Sequence, residues 1–323
     1  MDKNKVLNEA TTLLTVPAQR KWYNKIKYVL ILMVIPTVLY VIIFNYLPLG
    51  GLVIAFKDYT PFKGIFDSPW TSMGGFKHFY TFVTSPNFWP IIKNTLVLSL
   101  ASIFFNSLCP IIFALLVNEI RAPKYKRLVQ TIMYAPYFIS VSVLVGMMFA
   151  FFHSDSGIFT KLFAVFGFDA ANLMENPDYF CMLYVASGLW QGLGWWSIVY
   201  MGSLANVDPN LHDAAMMDGA GRFRRILHIN LPHIIPMATI MLIMSMGNIL
   251  SVGFEKVNLM QLATNLSKSE IISTYVYRVS FPEFGPAQFS YATAIGLFNS
   301  LVNIVILVLV NWISKKVSDN SLW

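Results

Sequence analysis

Residues capable of catalysis or metal binding are few in this sequence, and their spacing suits neither role. The histidines show none of the His-Glu-x-x-His or Cys/His spacings that bind zinc. They are His78, His153, His212, His228 and His233. The sequence also lacks a G-x-x-x-x-G-K-[ST] loop, the ordinary cradle for nucleotide phosphates. We therefore expect no catalytic residue, no metal site and no cofactor bound by this chain itself.

The most informative spacing lies in residues 208–232, which we call the 208–232 loop. Asp208 followed by Pro209 predicts a helix start, because the aspartate can cap free amides and proline tolerates the first helical position. Ala214 and Ala215 follow at helical spacing. Small residues at these positions would let another surface approach this helix closely.

A second short helix is predicted in the same loop. Gly219 and Gly221 are expected to interrupt the first helix, since glycine readily adopts positive φ. The next helix is predicted over Arg222–Ile229, ending before Leu231-Pro232. An ordinary basic loop would explain the arginines but not the separations of the alanines, glycines and Leu-Pro.

These separations resemble the EAA loop of ATP-binding-cassette (ABC) importer permeases, whose pattern runs Glu-Ala-Ala, then Gly, then Ile-x-Leu-Pro. The matching residues are Ala214, Ala215, Gly219, Ile229, Leu231 and Pro232. Asp213 replaces the usual glutamate, which keeps the carboxylate and shortens its reach by one methylene. Asp218-Gly219-Ala220 is similar to the carbohydrate-uptake form of the motif, and residues 54–80 look like the first external segment of LplB-type polysaccharide permeases.

The resemblance implies an all-α integral membrane protein with the type I ABC importer permease fold. It implies a second related permease in a heterodimer, two ABC ATPase subunits that bind ATP and Mg, and an extracellular solute-binding protein. The helix around residues 211–218 would be the coupling helix seated in an ATPase subunit. The chain would then move an oligosaccharide or similar solute inward by alternating access, without catalysing a reaction itself.

The resemblance also implies a division of the chain. Its parts would be a basic cytoplasmic segment 1–27, a first span with an aromatic-rich external loop 28–93, a permease domain 94–313 and a cytoplasmic tail 314–323.

Polar and aromatic side chains at membrane depth suggest a path for the solute. A pyranose has apolar faces and polar edges, so aromatic rings beside amides and hydroxyls suit it. The candidates are Trp190, Gln191, Trp195, Asn248 and Ser251. Two alternatives stay open: Trp195 faces lipid or packs in the bundle, and Asn248 bonds a neighbouring helix.

The elements that must position these residues are apolar. Only 12% of the 323 residues are charged, against about 25% in soluble proteins. Six uncharged runs are each long enough to cross a bilayer. They are Tyr28–Phe56, Asn94–Asn118, Leu128–Phe152, Tyr179–Val207, Ile234–Phe254 and Phe284–Ser314. We predict six transmembrane helices. Prolines inside or beside them tend to kink the helix, and these are Pro36, Pro110, Pro136 and Pro236. The absence of ionisable groups inside the runs argues against proton coupling.

The net charge of +7 indicates topology and not nucleic-acid binding. One set of flanking segments contains 15 lysines and arginines and comprises residues 1–27, 119–127, 208–233 and 315–323. The alternate set contains 8 and comprises residues 57–93, 153–178 and 255–283. By the positive-inside rule the first set is cytoplasmic, with both termini, and the protein is expected in the bacterial cell membrane.

Two other functions remain open at this stage. The same machine could carry a peptide or a polyol, which only an uptake assay separates from a saccharide. A stand-alone channel or intramembrane enzyme would instead be active without partners.

Overall fold

The structure is a computed structural model that describes residues 17–153, 156–167 and 173–317. Within these ranges the regular elements are helical, with one isolated β-bridge between Lys57 and Trp70. The α-helices are α1 Pro17–Val41, α2 Gly64–Asp67, α3 Lys77–Val83, α4 Phe88–Asn118, α5 Pro123–Tyr134, α6 Val141–Phe151, α7 Ile158–Val165, α8 Pro177–Leu204, α9 Pro209–Met217, α10 Arg222–Arg225, α11 Leu231–Met246, α12 Phe254–Met260, α13 Leu266–Ser269, α14 Ile272–Ser280 and α15 Phe289–Val317. Most of the predicted basic segment 1–27 and of the tail 314–323 lies outside the described residues.

The described residues up to 54, together with 59–68, form one compact unit, and the remainder forms a second. In the first unit, α1 continues into a π-helix, Ile42–Tyr46, and then into the 3-10 helix Leu47–Phe56. The most apolar window of the span Tyr28–Phe56 has 0% of its residues buried within the chain. Such a helix is suited to lipid, because all its backbone groups can bond within the helix.

In the second unit, α8 packs along α4, and apolar clusters form at both ends of α8. The cluster next to the 208–232 loop, the loop-end cluster, consists of Ala114, Leu115, Tyr200, Leu204 and Ile234. The cluster at the other end, the far-end cluster, joins α8 to α4, α6 and α12 and includes Leu98, Leu144, Phe180, Leu183, Val257 and Met260. Both ends of α8 are therefore fixed by buried side chains.

The third uncharged run, predicted as one span over Leu128–Phe152, is broken. The helical stretch Pro123–Phe138 and α6 meet at a bend of 96°. Pro136 lacks the N–H that would continue the α-helix, so the chain tightens into the 3-10 helix Ala135–Phe138. Ser140 then starts α6 as its N-cap, with its hydroxyl accepting from the Val143 amide at 3.3 Å. The kink predicted at this proline is confirmed, but it is a break between two helices.

Four helices of the described chain are long and apolar enough to cross a membrane, and the bent pair makes a fifth candidate. These four are Tyr28–Phe56, Phe88–Asn118, Arg222–Met246 and Phe289–Lys316. The 28-residue α8 is not among them, since its tryptophans, tyrosines, glycines and glutamine lower its hydropathy. The all-helical fold is confirmed, and six spans remain a prediction.

Candidate functional site

The first helix of the 208–232 loop begins where the sequence predicts. Asp208 is the N-cap of α9, and its carboxylate accepts from the Asn210 amide at 2.9 Å. Pro209 occupies the first turn, where a missing N–H costs nothing. The start of this helix is thus fixed by local chemistry alone.

The end of α9 is a Schellman cap formed by residues of the recognised motif. The Ala220 amide donates to the Ala215 carbonyl at 2.8 Å, and the Gly219 amide donates to the Met216 carbonyl at 3.1 Å. This pair of bonds needs a left-handed residue at the position after the cap, and Gly219 has φ +74°. Gly221, by contrast, has φ −69° and begins α10. The predicted turn is confirmed, but only Gly219 requires glycine for its conformation.

The loop presents an apolar surface without a partner in the described chain. The exposed side chains are Leu211 at 54%, Met216 at 48%, Met217 at 88% and Phe223 at 73%. Asp213 and Ala214 of α9 and its C-cap residue Asp218 are also exposed. Clustered exposed apolar residues on a short, capped helix are typical of a surface that binds another protein.

The second predicted helix does not stop before Leu231-Pro232, so this prediction is wrong. α10 runs into a π-helix, Ile226–Asn230, and then directly into α11. The Leu231 amide donates to the Ile226 carbonyl, five residues back. This wider turn accommodates the missing N–H of Pro232 without ending the helix.

The second half of the motif is anchored in the protein. Leu231 and Ile226 pack against the loop-end cluster, and Asn230 is fully buried. Leu204, from the last turn of α8, belongs to the same cluster. The loop is therefore held on both sides by one set of buried side chains, while α9 remains exposed.

Two of the predicted path residues instead hold the break in the third run. The Gln191 side-chain amide donates to the Ile139 carbonyl at 2.7 Å, and this carbonyl lies at the break. The Trp195 ring stacks on Tyr137, with 4.4 Å between centroids and 5° between planes. α8 thus supplies the groups that stabilise the bend.

The other three predicted residues have different contacts. Trp190 lines an apolar cavity between α6, α7 and α8. The Asn248 side chain bonds the Met244 carbonyl one turn earlier, at 3.3 Å. Ser251 accepts from the Asn303 amide of α15 at 3.0 Å. The five candidates therefore have different contacts in the part of the chain that the structure describes, and the solute path through them stays a prediction.

A different cavity of about 140 Å³, lined in part by polar side chains, lies between α4, α8 and α11. Its polar and aromatic lining residues are Ser102, Asn106, Ser107, Trp196, Tyr200 and Ser245. The Ser102 hydroxyl is buried and has no hydrogen-bond partner among the described residues. We call this space the three-helix cavity. Its sequence signal is the helical spacing of Ser102, Asn106 and Ser107 inside an uncharged run, and these three residues are not among the predicted path residues.

Comparison with known proteins agrees with the geometry. "Protein LplB" of Bacillus subtilis (strain 168) is 40% identical over 294 residues, which span 91% of this chain and 91% of that protein. The polygalacturonan/rhamnogalacturonan transport system permease protein YteP of the same organism is also 40% identical, over 91% of this chain and 90% of its own.

Solved structures agree as well. The crystal structure of a bacterial alginate ABC transporter, in complex with an alginate pentasaccharide-bound periplasmic protein, matches with a TM-score of 0.83 and 34% identity, covering 94% of this chain and 100% of that chain. The family described as binding-protein-dependent transport system inner membrane component matches residues 107–319. The chain belongs to this family of ABC transporter permeases.

Proposed function

We propose that this chain is the membrane-spanning permease subunit of an ATP-driven importer that moves an oligosaccharide into the cytoplasm. The observation that carries the proposal is the exposed, Schellman-capped α9, in a sequence without a nucleotide-binding loop. A relative named for polygalacturonan and rhamnogalacturonan transport, and a neighbour solved with alginate, favour a saccharide as the solute.

The chain works with partners in this proposal. A second, related permease completes the membrane part as a heterodimer, and two ABC ATPase subunits bind ATP and Mg. An extracellular binding protein delivers the solute, as the periplasmic protein in the alginate complex suggests. The chain itself contributes no catalytic group.

The proposed topology has six spans, with both termini and the 208–232 loop in the cytoplasm. The four apolar helices and the bent α5–α6 pair supply five spans. The sixth is α8, whose 28 residues extend about 42 Å, more than the bilayer core requires. This arrangement places the basic segments on the cytoplasmic side.

Coupling in this proposal runs through α9. When ATP closes the ATPase dimer, the exposed residues of α9 move with the ATPase surface that holds them. The loop-end cluster ties this movement to α8 and α11, because Leu204 and Ile234 belong to these two helices. A change in their angle would open the membrane domain alternately to each side.

The solute path in this proposal includes the three-helix cavity. Trp196 offers an apolar face for a sugar ring, while Asn106 and the serine hydroxyls offer hydrogen bonds to its edges. At about 140 Å³ the cavity has room for roughly four or five waters, so it must widen when a saccharide passes.

A matched serine pair tests the path. Ser245 and Ser300 each bond a carbonyl of their own helix, at 2.9 and 3.0 Å, but only Ser245 lines the three-helix cavity. We expect Asn106→Ala and Ser245→Ala to raise the solute concentration needed for half-maximal uptake, with Ser300→Ala unchanged. Uptake by Gln191→Ala and Asn248→Ala, at the predicted sites outside the cavity, is measured alongside.

Purification tests the function itself. The chain should co-purify with an ATPase subunit. Proteoliposomes in which the ATPase subunits face the lumen should take up oligogalacturonides or alginate oligosaccharides only when ATP is inside. Uptake of peptides or polyols in preference to saccharides would reassign the solute. Flux through the purified chain alone would reject the importer in favour of a channel.

A further inference from the structure

Lys256 of α12 is a buried cation that binds the backbone of another helix. It is 7% exposed, and its Nζ donates to the Tyr184 carbonyl oxygen of α8 at 2.8 Å. The ammonium also lies 4.6 Å from the centroid of the Tyr184 ring. Among the ion pairs of the described residues, none includes Lys256. A buried charge without a carboxylate partner adds little stability, so its presence calls for another reason.

A glycine on each side of this contact leaves room for it. A Cβ atom at Gly188 would lie 3.2 Å from the Lys256 Nζ, so the missing side chain makes room for the ammonium. The Tyr184 hydroxyl lies against the backbone of Gly253, where an added Cβ would be 3.1 Å from it. The α8 helix and the chain around residues 253–256 therefore hold each other at two points.

Burial lowers the pKa of Lys256 from 10.5 to about 8. Tyr184 is the titratable residue of α8 in contact with it, and α6 contains none. The ionisable residues of α14 have other partners among the described residues: Tyr275 contacts Tyr291, Tyr277 contacts Phe254 and Phe281, and Arg278 pairs with Glu270. Glu255 of α12 is exposed.

The contact lies at the end of α8 opposite the 208–232 loop, where buried apolar side chains of the far-end cluster also join α8 to α12. α8 and α11 flank the 208–232 loop, and near the loop the Ser203 hydroxyl of α8 donates to the His233 carbonyl of α11 at 3.3 Å. At the far end α11 stops at Met246, and the next helix, α12, starts at Phe254. The chain between them is not α-helical and is bonded to α15, where the Leu250 amide donates to the Asn303 side-chain oxygen at 3.0 Å. The Lys256 ammonium adds a directional polar contact between the chain that follows and α8.

We propose that Lys256 is a positioning residue that ties the chain following α11 to α8, so that both move as one body when the 208–232 loop is driven. This inference rests on the importer function proposed above. It assigns the ammonium a mechanical role at the end of α8 opposite the coupling helix. The role requires the charge, because the ammonium binds both a carbonyl and an aromatic face.

The test is Lys256→Met in the complete transporter, with Lys268→Met as the matched control, since Lys268 is exposed in nearby α13. In Lys256→Met we expect the number of solute molecules imported per ATP hydrolysed to fall about tenfold. This factor corresponds to the free energy of one lost hydrogen bond to a charged group. The unfolding temperature of Lys256→Met should equal or exceed that of the wild type, because a buried charge is replaced by an apolar side chain. Lys268→Met should change neither quantity.

The pH profile separates a mechanical role from simple packing. The transport-to-ATP ratio of the wild type should decline as the pH rises through about 8, while Lys256→Arg, which stays charged, should keep its ratio across this range. A Lys256→Met ratio equal to the wild-type ratio, or an identical decline with pH in Lys256→Arg and wild type, would overturn the inference. The importer function would then still stand, because it fails only if the wild-type complex shows no ATP-dependent uptake.

Discussion

Replacing Gly219 by alanine tests the backbone of the 208–232 loop separately from its contacts. Gly219 has φ +74°, and a Cβ added there would meet nothing within 4 Å. The cost is therefore conformational, about 1–2 kcal/mol for a left-handed residue with a side chain. Gly221 is the matched control, since it has the same open surroundings and a φ of −69° that alanine adopts without strain.

The strain has a predictable effect on docking. A free loop can relax by opening the bonds of the Schellman cap, whereas a loop seated in an ATPase subunit must keep them. The binding free energy of the docked loop is then less favourable by the strain energy. A strain of about 1–2 kcal/mol corresponds to roughly a 5- to 30-fold weaker affinity. Gly219→Pro should be more severe, because proline fixes φ near −65° and cannot form the cap at all.

The assay is a titration of the membrane-reconstituted chain with the ATPase subunit that co-purifies with it, followed by transport per ATP hydrolysed. We expect weaker binding for Gly219→Ala and wild-type binding for Gly221→Ala. Gly219→Pro and Ala215→Glu should insert in the membrane but lose coupling. Equal affinities of Gly219→Ala and wild type would refute the link between the left-handed cap and docking.

Two further predictions concern stability. Gly194→Ala should lower the free energy of unfolding by about 1–3 kcal/mol, because the new Cβ would lie 2.2 Å from the Met133 carbonyl oxygen. Gly202→Ala on the same helix is the control, since its Cβ would meet nothing within 4 Å. Equal unfolding temperatures of the two variants in detergent would contradict the close approach of α5 and α8. Burial raises the pKa of Glu270 above 4.5, although Arg278 partly opposes this. The folded state therefore binds the Glu270 proton more tightly than the unfolded state does. The stability that this proton contributes is lost as the pH rises through the folded-state pKa. Glu270→Gln should reduce the fall of the unfolding temperature with rising pH. An unfolding temperature that depends on pH as in the wild type would contradict this role of Glu270.

Local signals in the sequence were sufficient for the first half of the 208–232 loop. The Asp208 cap, the Pro209 start and the Gly219 turn each depend on neighbours within a few residues. The continuation through Pro232 could not be predicted in the same way, because it depends on a π-turn. This turn is stabilised where Leu231 packs against side chains from α4 and α8.

The break in the third run was only partly predictable for a similar reason. Pro136 indicated a kink, but the sharp bend also needs a partner for the Ile139 carbonyl, and Gln191 supplies it from a distant helix. A glutamine in an apolar run suggested a solute contact, since the sequence does not show which backbone carbonyl is left free. The three-helix cavity is not predictable from any one segment, because its wall comes from three separate helices.

One residue connects the two parts of the proposed function. Tyr200 belongs to the loop-end cluster and also lines the three-helix cavity. It lies one turn of α8 before Leu204, about 6 Å along the helix. The α8 helix is continuous through this region, so a displacement of the 208–232 loop that moves Leu204 must also move Tyr200. Tyr200, which lines the proposed solute path, is therefore one helical turn from Leu204 of the loop-end cluster. The helix between them is unbroken.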